Sequence, residues 1–68
     1  MSNLENERYA EQALESFKEY VANEDWKSVD DLFIEIRDNG FDQLADALYR
    51  NLSPEQEAKY KEFTATRN

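Results

Sequence analysis

Trp26-Lys27-Ser28-Val29-Asp30-Asp31-Leu32-Phe33-Ile34-Glu35-Ile36-Arg37-Asp38-Asn39-Gly40-Phe41-Asp42 is the stretch that decides the fold. Trp26, Val29, Leu32, Phe33 and Ile36 recur at i, i+3, i+4 spacing, which lays them along one face of a helix. Asn23-Glu24-Asp25 ahead of them offers a cap with acids in the first turn, where they suit the helix dipole, so the helix is expected over about 24–38. It stops at Asn39-Gly40-Phe41. There the lone glycine takes the left-handed C′ position and Phe41 at C″ folds back onto Ile36 at C3, as a Schellman motif requires. Asp42 then caps a further helix over about 42–52, whose Leu44, Ala45, Leu48 and Leu52 keep helical spacing.

Upstream, Ser2-Asn3-Leu4-Glu5 reads as a capping box that starts a helix over about 3–22. The apolar stripe of that helix is Tyr9/Ala10, Ala13/Leu14, Phe17 and Tyr20/Val21. Downstream, Ser53-Pro54-Glu55-Gln56 combines an N-cap serine, proline at N1 and glutamine at N3, so a helix begins at Pro54 and is expected over about 54–64. Only Ala58, Tyr60 and Phe63 give it an apolar face. The expectation is the least stable element of the chain, with a frayed tail from Thr64 to Asn68. The reading is all-α: one domain over residues 1–68, a compact three-helix bundle with a short fourth C-terminal helix.

Composition agrees with helices and excludes much chemistry. A chain of 68 residues with one glycine, one proline, few β-branched residues and abundant Glu, Lys, Ala and Leu favours helix over sheet. With no cysteine there is no disulfide or thiolate zinc site, and with no histidine the commonest metal ligand and neutral-pH base are missing. Asp38-Asn39-Gly40-Phe41-Asp42 puts glycine at the third position of a would-be calcium loop, where the sixth is needed. No nucleophile and base are held together by any motif, so neither an enzyme, a cofactor nor a metal is expected. No apolar run approaches the ~20 residues of a membrane span and the N-terminus lacks signal-peptide character, so the chain reads as soluble and cytoplasmic.

Charge is the remaining signal. Sixteen acids face eight bases, for a net charge of −8. Residues 1–46 hold 13 acids and 4 bases, against 3 acids and 4 bases in residues 47–68. Such a field repels phosphate and favours basic partners. The pair of short helices about Gly40 has helix-turn-helix spacing, but its second helix presents Asp42 and Asp46 where a DNA reader needs lysine or arginine. Direct nucleic-acid binding is therefore not expected.

Glu7, Glu11, Glu15 and Glu19 stand one helical turn apart, and each neighbouring pair costs about 0.2–0.5 kcal/mol in repulsion. Asp31, Glu35, Asp38, Asp42 and Asp46 supply a second row that crosses the Gly40 turn. These nine residues are the candidate site: acids on a rigid scaffold that occlude the basic surface of a partner, such as a nucleic-acid-binding protein, by mimicking a polyanion. One row is too sparse for the purpose, rising ~6 Å per carboxylate where a DNA strand advances ~3.4 Å per phosphate. Two rows on helices packed ~8–10 Å apart approach the density of a duplex if they share one side. In general character the chain is similar to small acidic phage-encoded inhibitors and DNA mimics, a likeness of composition and not of motif.

Two plainer readings compete. Acids at this frequency give roughly 3–4 i, i+4 pairs by chance and amphipathic helices concentrate them on the wet face, so the six pairs counted here are also consistent with a face that serves solubility alone. Trp26, Phe17, Phe33 and Phe41 fall on core faces. Ile34 and Tyr49 fall off their stripes, and with Tyr60 they are the candidates for a structural or assembly module that forms a homodimer or binds a partner through apolar contacts.

Overall fold

The structure, a computed structural model, describes residues 3–66, with side chains over 6–66. The described residues form four helices: α1 Asn3–Ala22, α2 Trp26–Asp38, α3 Asp42–Arg50 and α4 Pro54–Thr66. Ser2 and the side chains of residues 3–5, on which the capping box rests, lie outside what the structure describes, as do the last two residues of the expected frayed tail. The body is a flattened slab of 40 × 23 × 16 Å.

The α2–α3 turn closes as its residues dictate. Gly40 has φ 88°, the Phe41 N–H donates to the Ile36 carbonyl at 3.0 Å and the Gly40 N–H to that of Arg37 at 2.9 Å. Those are the two bonds of a Schellman motif. The same motif also ends α1, with Glu24 in the glycine position. Its φ is 56°, its N–H donates to Val21, and the next N–H, that of Asp25, donates to Tyr20. Asp25 then caps α2, accepting from the Ser28 backbone N–H at 3.3 Å and the Ser28 hydroxyl at 2.8 Å. Helix α2 thus starts at Trp26, two residues later than the acids of Asn23-Glu24-Asp25 suggest.

At α3 the cap expected from Asp42 is absent: Phe41 occupies the N-cap position without a side-chain bond, and Asp42 is already in the first turn. Leu52 falls beyond the end of α3 yet is buried in the core. Ser53 and Gln56 form the reciprocal box, Gln56 N–H donating to Ser53 Oγ at 3.1 Å and Ser53 N–H to Gln56 Oε1 at 2.9 Å. The helix that follows is not short. At 13 residues α4 equals α2 and exceeds the 9 of α3, and it continues through Thr64 to Thr66.

Helix α2 is the hub, packing against all three other helices. Phe33 at its centre meets one aromatic ring from each of them: Phe17 of α1 at 5.8 Å, Tyr49 of α3 at 6.3 Å and Tyr60 of α4 at 5.5 Å. Around it Ala13, Phe17, Val29, Ile36, Ala45, Leu48 and Leu52 complete the buried core. At the other end Tyr9 of α1 stacks on Phe41 at 4.9 Å, and Asn39 donates to its hydroxyl at 3.0 Å, which sets α1 antiparallel to α2.

Two side chains sit where the periodicity does not put them. Tyr49 is half-buried and donates its hydroxyl to Glu57 at 2.7 Å, so it is an internal contact between α3 and α4 and not an exposed anchor. Ala58 is exposed, and α4 instead leans on the core through Tyr60, half-buried, with no residue of its own fully buried.

Candidate functional site

All nine candidate carboxylates are exposed. On α1, Ala13 and Phe17 anchor the stripe in the core, which leaves the opposite side of the helix to Glu7, Glu11, Glu15 and Glu19. None of the four makes an ion pair or side-chain hydrogen bond with a described residue. The bases of α1 do not neutralise them, since Arg8 and Lys18 form no ion pair with a described residue either. The four ion pairs among the described residues lie elsewhere: Lys27–Asp31 at 3.2 Å, Arg37–Asp46 at 3.7 Å, Lys59–Glu24 at 3.1 Å and Lys61–Glu57 at 3.1 Å.

The row is not straight. Four residues advance a helix by about 400°, so an i, i+4 row drifts about 40° per step and about 120° from Glu7 to Glu19. One flank of α1, carrying Leu14, Lys18 and Val21, faces the α3–α4 junction, whereas Tyr20 on the other flank faces α2 across a hollow of about 170 Å³. Helix geometry therefore carries the row from the α3–α4 side at Glu7 round to the α2 side at Glu19. Asp31 and Glu35 rim that same hollow from α2. The α1 row thus turns at Glu19 toward the side of the helix that faces Asp31 and Glu35.

The second row is broken. Asp31 and Asp46 are drawn into ion pairs with Lys27 and Arg37, and only Glu35, Asp38 and Asp42 stand without a described partner. Asp38 closes α2 and Asp42 opens α3, with the left-handed Gly40 between them, so the two are not neighbours on one helix face.

The contacts that sequence periodicity missed cluster between α2 and α4. Asp30 is buried, 5 % exposed, and accepts from the Tyr60 hydroxyl at 2.8 Å. The signal was present, because Asp30 lies four residues after Trp26 and three before Phe33, inside the apolar stripe. Burial holds the Tyr60 phenol above its usual pKa. The Glu57 bond raises the Tyr49 phenol likewise, and Glu57 is held below its ordinary range by Tyr49 first and Lys61 second. Lys59 is raised by its bond to Glu24, and Lys61 by its bond to Glu57. The Tyr60–Asp30, Tyr49–Glu57 and Lys59–Glu24 contacts pin α4 to the rest of the fold.

Among the described residues no group of three or more acids could hold a metal ion, and no helix is long and apolar enough to cross a membrane. No protein-family model, curated protein or solved structure matches the chain.

Proposed function

We propose that the chain is a non-enzymatic protein-binding module that occludes a basic, nucleic-acid-binding surface of a partner, with the α1 glutamates as its principal contacts. The observation that carries this reading is the unneutralised state of seven exposed acids: Glu7, Glu11, Glu15, Glu19, Glu35, Asp38 and Asp42 have no described partner, while Lys27, Arg37, Lys59 and Lys61 are paired elsewhere. Such a surface attracts cations over a Debye length, about 8 Å at physiological salt, and raises the rate of encounter with a basic protein. The 120° sweep of the row fits a concave partner that wraps α1, as a nucleic-acid-binding groove does, better than a flat one. Asp31, Glu35 and the acids about Gly40 extend the footprint on the α2 side, with Asp46 at its far end.

The apolar alternative, assembly through exposed hydrophobic residues, retains little support. Tyr49 and Tyr60 are engaged inside the fold, which leaves Ile34, 46 % exposed, as the large hydrophobic residue still displayed. Salt separates the two readings: an electrostatic occluder loses affinity steeply as ionic strength rises, and an apolar interface does not. The test is a pull-down from cells of the native host at low and high salt. A partner retained at low salt, released at high salt and displaced by duplex DNA supports the proposal. A partner held equally at both salts contradicts it.

A further inference from the structure

Away from the glutamate row, a groove runs along the seam between α4 and the α1–α2 junction. Its three hollows adjoin, for Val21, Ala22 and Gln56 line both the first and the second, and Glu24, Trp26 and Lys59 line both the second and the third. The first, about 490 Å³, has Leu14, Phe17 and Val21 on its walls. The third, also about 490 Å³, sets Trp26 and Phe63 among the polar Glu24, Lys59, Glu62 and Thr66. Between them the Lys59–Glu24 ion pair forms a polar saddle. The groove exists because α4 packs chiefly on α2 and touches α1 only at its edge.

The saddle is held by a left-handed backbone. Glu24 is the sole non-glycine residue with positive φ among those described, and it is this conformation that begins the turn into α2 while its carboxylate meets Lys59. The left-handed conformation is the one that closes α1, so the position of the Glu24 carboxylate beside Lys59 is fixed by the end of that helix.

The rim is charged asymmetrically. With Glu24 and Lys59 paired to each other, the α4 rim presents Glu55 and Glu62, neither in an ion pair with a described residue and seven positions apart, which is about two helical turns. Lys18 is the single base on the opposite rim. Two hollows with apolar patches, Leu14, Phe17 and Val21 in one and Trp26 and Phe63 in the other, flanked by acids at i and i+7, complement an amphipathic helix that seats its apolar face on those patches and points basic residues seven apart toward α4. We infer that this seam is a docking groove for a basic amphipathic helix of a partner protein, on a surface separate from the α1 glutamates.

Trp26 is the only tryptophan in the chain and lines the groove, so it reports occupancy directly. The probe is an 18-residue leucine/lysine peptide of amphipathic helical pattern, compared with a scrambled peptide of the same composition at about physiological ionic strength. The expected result is a saturable one-to-one blue shift of Trp26 emission with the patterned peptide and none with the scramble. Ala22→Arg, at an exposed position that lines two of the hollows, weakens the peptide by about tenfold or more, and Glu55→Gln with Glu62→Gln weakens it by about fivefold. Glu11→Lys with Glu15→Lys changes it by no more than about threefold, as expected for charges that act only through the screened field. Equal binding of the scramble, indifference to Ala22→Arg, or loss with the α1 double variant overturns the assignment. Emission that shifts with the protein's own concentration before peptide is added also overturns it, by showing a second copy in the groove.

Discussion

The hydroxyl of Tyr60 in α4 donates to the carboxylate of Asp30 in α2 at 2.8 Å, and Asp30 is the one buried charged residue among those described. A helix with no fully buried residue is thereby tied to the hub of the fold by a polar contact beside Phe33. Hydrogen bonds to charged groups contribute about 1.5–3 kcal/mol, a large share of the stability of a domain this small. Tyr60→Phe keeps the ring against Phe33 and removes the bond. The expected outcome is a loss of about 1–3 kcal/mol in urea denaturation, with α4 amides losing hydrogen-exchange protection before those of α2.

Alkaline pH releases the same helix. The phenols of Tyr49 and Tyr60 and the ammonium groups of Lys59 and Lys61 all titrate above their ordinary values in the folded chain. A raised folded pKa contributes stability that is complete below the unfolded value and is lost as pH rises through the folded one. Stability therefore falls above about pH 10, as measured by thermal melts across pH 8–12. Glu57 has the opposite sign. Its lowered pKa contributes above the unfolded value and is lost as pH drops through the folded one, so a smaller decline appears below about pH 4.

Glu24 and Gly40 close two Schellman motifs with different residues. Gly40→Ala meets no steric obstacle, since nothing lies within 4 Å of the added carbon, so its expected cost of about 1–2 kcal/mol comes from the left-handed backbone alone. Replacing Glu24 by glycine or by alanine removes the Lys59 partner equally, but only glycine accommodates φ 56° without strain. Glu24→Gly should exceed Glu24→Ala in stability by about 1 kcal/mol, measured by chemical denaturation of the two variants side by side.

Repulsion along α1 makes the molecule less stable than its fold allows. Screening shortens from about 30 Å at 0.01 M salt to about 8 Å at 0.15 M, so Tm is expected to rise over that interval. Glu11→Gln with Glu15→Gln should raise stability by about 0.6–1.5 kcal/mol at low salt and by less at high salt, because the two amides remove all three repulsive steps of the row.

Much of this architecture is legible in the sequence because it is local. The stripes of α1, α2 and α3, the Gly40 stop and the Ser53–Gln56 box each depend on residues within a few positions of one another, and each appears where the spacing puts it. The attachment of α4 is different. Its partners, Asp30, Phe33 and Tyr49, lie in two other helices, and neither a short apolar stripe nor an acid inside the α2 stripe announces that a tyrosine from 30 residues away will satisfy it. Glu24 misleads for a related reason, since acids before a helix suggest a cap, whereas here Asp25 caps and Glu24 takes the left-handed turn. At the candidate site, exposure of the nine acids follows from periodicity. The Lys27–Asp31 pair is as local as the periodicity, four residues apart on α2, whereas the pairing of Asp46 with Arg37 and the side toward which the α1 row drifts follow from how the helices pack.

Whether the α1 glutamates carry binding is decided by the affinity of the partner recovered from the native host for the wild-type chain and for Glu11→Lys with Glu15→Lys, measured by titration calorimetry. The double variant is expected to keep its helical circular dichroism and to lose binding by about a hundredfold or more, since two attractive contacts become repulsive. Unchanged affinity in a variant that remains folded would contradict the proposed role of the α1 glutamates.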